Sequence, residues 1–264
     1  MSGSAHIPVL LAEAVAALGE VRGQWVADGT LGGGGHTRAL LAAGAKVLAT
    51  DWDARAIAAA QAWAGAYGER LELHHAAYSA LPTLLGPRRP QGILLDLGFS
   101  SDQLDDPHRG LSYHHAGPLD MRLDSTQRLT AADLLNRWRE EQLADLFYHH
   151  AEEPKARPLA RAVVTTRKTK PYATTTDLLA TIEQLYPPRL GLKRAHPAAR
   201  IFQALRVAVN DELTVLEQAL HGCAQQLAMG GTLAVITFQP NEERLVKQVF
   251  RALCADTLDA VGRV

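Results

Sequence analysis

The chain has 264 residues, 47% hydrophobic and 21% charged, with a formal net charge of −1. That length fits one large domain or a domain carrying an insertion, and the apolar fraction is ample for a core. Near-neutral charge removes any whole-molecule field that would draw nucleic acid, and the longest apolar runs fall far short of a membrane span.

In chain order, a helix is expected near 8–18, followed by a strand at 24–28 and a glycine-rich turn. A helix near 36–43, a strand at 46–50, a helix at 54–64 and strands at 71–75 and 92–96 continue the alternation of a parallel α/β sheet. The rhythm then breaks. Thr130-Ala-Ala-Asp-Leu-Leu-Asn opens like a capped helix, 157–168 reads as another, and Thr175-Thr-Asp-Leu-Leu-Ala-Thr-Ile as a third. One long amphipathic helix is expected from about Arg200 to Leu227, ending at Gly230-Gly231. The β-branched run Thr232-Leu-Ala-Val-Ile-Thr-Phe238 then returns the chain to the sheet. The fold class is therefore α/β, a Rossmann-like sheet built from 1–104 and 200–264 and interrupted by a helical insertion at 105–199.

The most informative stretch is Asp28-Gly-Thr-Leu-Gly-Gly-Gly-Gly-His36, between a strand and a helix. Glycines let the backbone turn sharply and approach a ligand, and the helix that follows presents unpaired N–H groups. Asp51 ends the next strand, about twenty residues beyond the first glycine, where a ribose-binding carboxylate belongs. Asp96 ends the strand at 92–96 and so falls beside the same cofactor. The spacing leaves NAD and S-adenosylmethionine both open, while the acidic start at Asp28 favours a cationic ligand.

The two cysteines, Cys223 and Cys254, have neither redox nor metal spacing, and the adjacent histidine pairs make a poor metal site. A cytoplasmic protein with no metal, no membrane contact and no leader segment is expected. Charge is local: Lys155, Arg157, Arg161, Arg167, Lys168 and Lys170 form a basic run with no acidic residue between them, and Arg189, Lys193, Arg194, Arg200 and Arg206 follow. Such a run suits RNA phosphates, and Arg157 and Arg161 lie on one helical face.

Several motifs together carry a resemblance. His6-Ile-Pro-Val-Leu-Leu, the glycine run, Asp51-Trp-Asp53, Leu94-Leu-Asp-Leu-Gly-Phe-Ser-Ser-Asp-Gln-Leu-Asp-Asp106, Arg109-Gly110, Gly117-Pro-Leu-Asp-Met-Arg122, Glu152-Glu153, His196-Pro-Ala, Phe202-Gln-Ala-Leu-Arg206 and Asn210-Asp-Glu-Leu213 span His6 to about Phe238. On these residues the chain resembles the bacterial 16S ribosomal RNA (cytosine-4-amino) methyltransferases of the RsmH, formerly MraW, family. The resemblance implies an S-adenosylmethionine enzyme that methylates the exocyclic amine of a P-site cytidine in the small ribosomal subunit. It implies cofactor contacts from Gly34, Gly35, His36, Asp51, Tyr78, Asp96 and Gln103, and gives the helical insertion to substrate recognition.

One segment departs from that pattern. Relatives continue after the last strand with Phe-His-Ser-Leu-Glu-Asp-Arg and a basic tail, whereas this chain reads Phe238-Gln-Pro-Asn-Glu-Glu-Arg244 and stops at Val264. Weaker RNA affinity and turnover are expected from that loss. A cofactor-binding homologue that docks on the subunit without methylating is one alternative, and an NAD-dependent dehydrogenase is another.

The chemistry narrows the catalytic candidates. A cytosine amine is a poor nucleophile, so catalysis reduces to holding it in line with the methyl group and accepting its N–H as positive charge develops. Asp96 or the adjacent backbone carbonyls are the candidate acceptor, with Phe99 or Tyr113 as a stacking surface for the unstacked base, and Asp96 serving only the cofactor is the alternative. Asp120, Arg122, Gln203, Arg206 and Asn210 are the further substrate-side candidates, for which a buried structural network is the equal alternative. Glu152-Glu153 is expected to hold Arg157 or Arg161. Oligomeric state stays open, with a homodimer through the 8–18 helix as one option.

Overall fold

The computed structural model describes residues 8–99, 101–186 and 196–261. The chain divides into two compact units, one made of the chain up to Phe99 and from Leu213 onward, the other of Ser100–Glu212.

The first unit is organised by a five-stranded sheet: β1 (Trp25–Asp28), β2 (Lys46–Asp51), β3 (Leu71–His75), β4 (Gly92–Asp96) and β5 (Thr232–Ile236). Their order is β3-β2-β1-β4-β5 and every neighbouring pair is parallel. Parallel sheets are covered on both faces, which explains why β2 buries every residue but Lys46 and β4 every residue but Asp96. The order reverses between β1 and β4, which are neighbours in space although two strands separate them in sequence. The crevice at their carboxyl ends is where an open parallel sheet takes its ligand.

Four helices of this unit precede the insertion: α1 (Leu11–Ala17), α2 (Gly35–Ala42), α3 (Ala54–Ala64) and α4 (Leu81–Leu85). Leu40 and Leu41 of α2 pack with Val26 of β1, Val47 and Ala49 of β2 and Leu94 of β4 in one core. Asp53 starts α3 by accepting the Arg55 N–H at 2.9 Å. All five strands fall where the apolar runs predict them.

The second unit contains α5 (Ser101–Asp105), α6 (Ala131–Arg137), α7 (Glu140–Ala151), α8 (Ala156–Thr166), α9 (Thr175–Leu185) and α10 (Pro197–Val209). Two of these begin with reciprocal caps. Thr130 accepts the Asp133 N–H and the Asp133 carboxylate accepts the Thr130 N–H, and Thr174 and Asp177 repeat the device for α9. α8 turns Ala156, Leu159, Ala160 and Val163 inward, a one-sided stripe at helical spacing, and packs on α7 and α9.

The chain returns to the first unit through α11 (Glu212–Gln226) and α12 (Pro240–Val261). The expected single helix from Arg200 to Leu227 is two helices. Asp211 adopts a left-handed conformation with φ 49° and breaks the run between α10 and α11. Consequently α10 packs on α6, α7 and α9 and lies in the second unit, so the units divide near 212 rather than at 199/200. At the altered segment, the Glu242 carboxylate accepts the N–H groups of Phe238 and Gln239, both at 3.1 Å, where α12 begins.

Candidate active site

The turn after β1 is locked to the strands on either side. Gly29 donates to Leu94 O at 2.9 Å and Leu31 to Thr50 O at 3.0 Å, so the glycine run is held between β4 and β2. Gly29 leaves no room for a side chain: a Cβ there would lie 2.4 Å from Leu95 Cδ2 and 2.7 Å from Tyr78 Cβ. Gly34, with φ 77°, is the left-handed residue before α2, a conformation glycine adopts without strain.

Asp28, expected to favour a cationic ligand, is held inside the turn. Its carboxylate is fully buried, accepting the Thr37 hydroxyl at 2.6 Å and the Thr30 N–H at 3.0 Å. Burial pushes its pKa up, and these hydrogen bonds offset only part of that shift. Asp28 therefore fastens the start of α2 to the end of β1.

Asp51 stands at the end of β2 as predicted. One oxygen accepts the Gly32 N–H and the other the Asp53 N–H, both at 2.8 Å. Burial raises its pKa to about 6 despite those two bonds. Tyr78 is buried close by, its ring edge-on to Trp52 with centroids 5.4 Å apart. Gly34, Gly35 and His36 form the start of α2.

Asp96 and His36, sixty residues apart in sequence, meet at the ends of β4 and α2. His36 Nε2 lies 3.3 Å from Asp96 Oδ2. The His36 ring is almost fully buried, and neither of its nitrogens has a hydrogen-bond partner of acceptable geometry among the described residues. Asp96 Oδ1 is likewise buried without a partner. The Asp96 N–H donates to Thr30 Oγ1 at 2.7 Å, which fixes the end of β4 to the glycine turn. Buried polar groups are nearly always satisfied, so unsatisfied atoms clustered at a sheet's ligand-binding edge mark a functional position. Phe99 follows β4 and is half-buried.

The remaining candidates lie in the second unit. Gln103 is half-buried on α5. Asp120 grips Arg122 with both oxygens at 2.7 Å, and Arg122 also donates to the carbonyls of Ser125 and Gln127. Burial alone would raise the Asp120 carboxyl, but the Arg122 guanidinium outweighs it and holds the pKa below its ordinary value. Arg206, 3% exposed, is paired through two bonds of 2.7 and 2.9 Å with Glu212. Asn210 accepts the Leu123 N–H and donates to Met121 O and Arg206 O. For Arg206 and Asn210 the structure contains the buried network. Gln203 is half-buried on α10, and Tyr113 stacks on His196 with centroids 5.5 Å apart.

The basic run separates into two groups. Lys155 donates to Leu185 O, Arg167 to Leu135 O and Trp138 O, and Lys170 pairs with Asp177. Arg157, Arg161 and Lys168 are exposed, and Arg157 and Arg161 line a groove with Thr165, Thr166 and Gln184 between α8 and α9. The partners of Glu153 are not the expected Arg157 or Arg161. Arg161 meets Glu140 instead, and the fully buried Glu153 receives the Lys155 N–H, the Tyr186 hydroxyl and the Arg200 guanidinium. Arg189, Lys193 and Arg194 lie outside the described residues.

A parallel sheet of this order, with a glycine turn after β1 and carboxylates ending β2 and β4, defines a doubly wound α/β protein, the class that takes nucleotide-like ligands in such a crevice. Within that class the chain belongs to the MraW methylase family, whose model matches residues 3–259. It is 47% identical over 249 residues to a protein of Rhizobium etli, covering 93% of this chain and 71% of the relative. A protein of Rippkaea orientalis is 44% identical over 93% of this chain and 80% of its own length, and one of Magnetococcus marinus is 46% identical over 98% and 84%. Each of the three is named ribosomal RNA small subunit methyltransferase H. The chain is thus a methyltransferase of this family.

Proposed function

We propose that this methyltransferase uses S-adenosylmethionine to methylate small-subunit ribosomal RNA, at the exocyclic 4-amino group of a P-site cytidine in 16S RNA, in the cytoplasm. One observation carries the reading. Relatives named for small-subunit RNA methylation align with nearly the whole chain, and their alignment includes the β1–β4 crevice with its unsatisfied Asp96 and His36.

The residues present fit the cofactor. Asp51 has one hydrogen bond on each oxygen, which leaves lone pairs for two ribose hydroxyls. The buried Tyr78 against Trp52 offers an apolar wall to adenine. The backbone N–H groups of Gly35 and His36, at the start of α2, suit a ligand carboxylate, while that of Gly34 is donated to Leu31 O at 2.7 Å within the turn. When bound, S-adenosylmethionine supplies an electrophilic methyl group.

The chain's own residues supply orientation and a place for a proton. Asp96 accepts an N–H of the amine, which must shed one proton when its nitrogen gains the methyl carbon. Phe99 stacks on the extruded base. In the insertion, Arg157 and Arg161 bind RNA phosphates along the α8–α9 groove, for which exposed guanidinium groups are suited.

Mass mapping of small-subunit RNA from cells with and without the protein tests the substrate. One cytidine 14 Da lighter in the deletion supports the assignment; identical maps reject it. For Asp96→Asn, turnover falling far more than cofactor affinity supports the acceptor role, and weakened binding with unchanged turnover leaves Asp96 a cofactor ligand.

A further inference from the structure

His36 lies in the first turn of α2. Its ring is a separate matter. It is 4% exposed, and neither nitrogen has a hydrogen bond among the described residues. An imidazole left unsatisfied in a protein interior is destabilising, a cost that an apolar residue of similar shape avoids. Its ion-pair contact among the described residues is with the Asp96 carboxylate, with Nε2 to Oδ2 at 3.3 Å.

Both ends of this contact are anchored. The residue after His36, Thr37, is tied to the buried Asp28 at 2.6 Å, which pins the first turn of α2 to β1. The Asp96 backbone is tied to Thr30 at 2.7 Å, which pins the end of β4 to the same turn. Anchoring the backbone beside both residues narrows where their side chains can stand, as a preorganised site requires. The Asp96 side chain is 21% exposed while its Oδ1 is buried, so Oδ2 is the oxygen turned outward. His36 therefore sits behind the one carboxylate oxygen that an incoming amine can meet.

We infer that the His36 ring is a positioning residue for methyl transfer: its Nε2–H donates to Asp96 Oδ2 and fixes the carboxylate for the amine N–H. The 3.3 Å contact closes to a hydrogen bond when the site fills, since catalytic hydrogen bonds are commonly long before ligands bind. In the transfer, the amine nitrogen forms a bond to the methyl carbon, the carbon–sulfur bond breaks and its electron pair stays on sulfur. One amine proton passes to Asp96 Oδ2 and from there to water. His36 keeps its own proton throughout and acts only through Asp96. This inference rests on the reading of Asp96 as the amine acceptor.

The test has one arm that needs neither cofactor nor activity. In the free protein with 15N-labelled histidine, the ring nitrogens of His36 should show the proton on Nε2 and a bare Nδ1; a proton on Nδ1 overturns the inference. In a second arm, His36→Phe keeps the bulk and removes the donor, while His36→Gln restores a donor. S-adenosylhomocysteine affinity by calorimetry should change less than threefold in both. Single-turnover methylation should fall at least thirtyfold in His36→Phe and recover in part in His36→Gln. Affinity falling in step with turnover would make the ring a cofactor contact, and unchanged turnover would make it packing; either result overturns the inference. A wild-type protein that methylates no RNA speaks against the proposed function, and the tautomer measurement still decides the His36–Asp96 contact.

Discussion

Two clusters of buried polar side chains, one in each unit, are satisfied differently. In the helical unit, Arg206 and Glu212 close a two-bond pair, Asn210 bridges Met121, Leu123 and Arg206, and Glu153 gathers Lys155, Tyr186 and Arg200. In the sheet unit, Asp96 Oδ1 and both His36 nitrogens remain without hydrogen bonds among the described residues, at the end of β4 and the start of α2. A saturated network rigidifies what it connects, whereas an incomplete one is stable only where something else completes it. Under the proposed function the Arg206–Glu212, Asn210 and Glu153 networks of the insertion are architectural, whereas the incomplete cluster at the sheet's edge is where the ligand chemistry falls.

The sharpest way to break this contrast is to open a saturated pair. Arg206→Met leaves Glu212 buried without its guanidinium and should cost about 3–5 kcal/mol, read from urea unfolding. Adding Glu212→Leu should recover most of the loss. If Arg206→Met alone is neutral, the pair is not architectural.

Asp51 sharpens the other side through pH. Its folded pKa of about 6 lies above the ordinary value of 3.8, so the folded state prefers the protonated acid. This group's contribution to stability is full below the ordinary value and is lost as pH rises through about 6. Ribose binding needs the carboxylate and moves the other way. Cofactor affinity should weaken up to about tenfold for each unit that pH falls below about 6. Asp51→Asn should flatten both dependences, measured by calorimetry and thermal unfolding across pH 4.5–7.5.

The smallest effect on stability is expected at the α8 face. Arg157→Glu and Arg161→Glu should change unfolding free energy by no more than about 0.5 kcal/mol, because both side chains are exposed and the Arg161–Glu140 pair is solvated. Yet each should weaken RNA binding and lower the slope of log affinity against log salt by about 1. Stability loss without a change in RNA affinity would move the functional face elsewhere.

Much of this organisation is legible in the sequence because it is local. Each β-strand is an apolar run ended by a turn or an acid, and α6 and α9 announce themselves through Thr-x-x-Asp caps. Asp51 and Asp96 are readable as strand-end carboxylates for the same reason. α7 gave no such signal, since it starts at Arg139 with Gln142 in the capping role. The break at Asp211 was hidden because a non-glycine residue takes the left-handed conformation, next to an Asn210 whose partners lie nearly ninety residues away. Glu153 was paired with its sequence neighbours, whereas its ligands include Tyr186 and Arg200. The His36–Asp96 contact depends on a crossover between β1 and β4 that spacing alone does not specify.

Parallel calorimetric titrations of the purified protein with S-adenosylmethionine and with NAD test the central claim, that the β1–β4 crevice holds an adenosyl sulfonium. The account predicts one-to-one binding of S-adenosylmethionine, weakened in Asp51→Ala, and no heat from NAD. Binding of NAD, or S-adenosylmethionine affinity indifferent to Asp51→Ala, would contradict it.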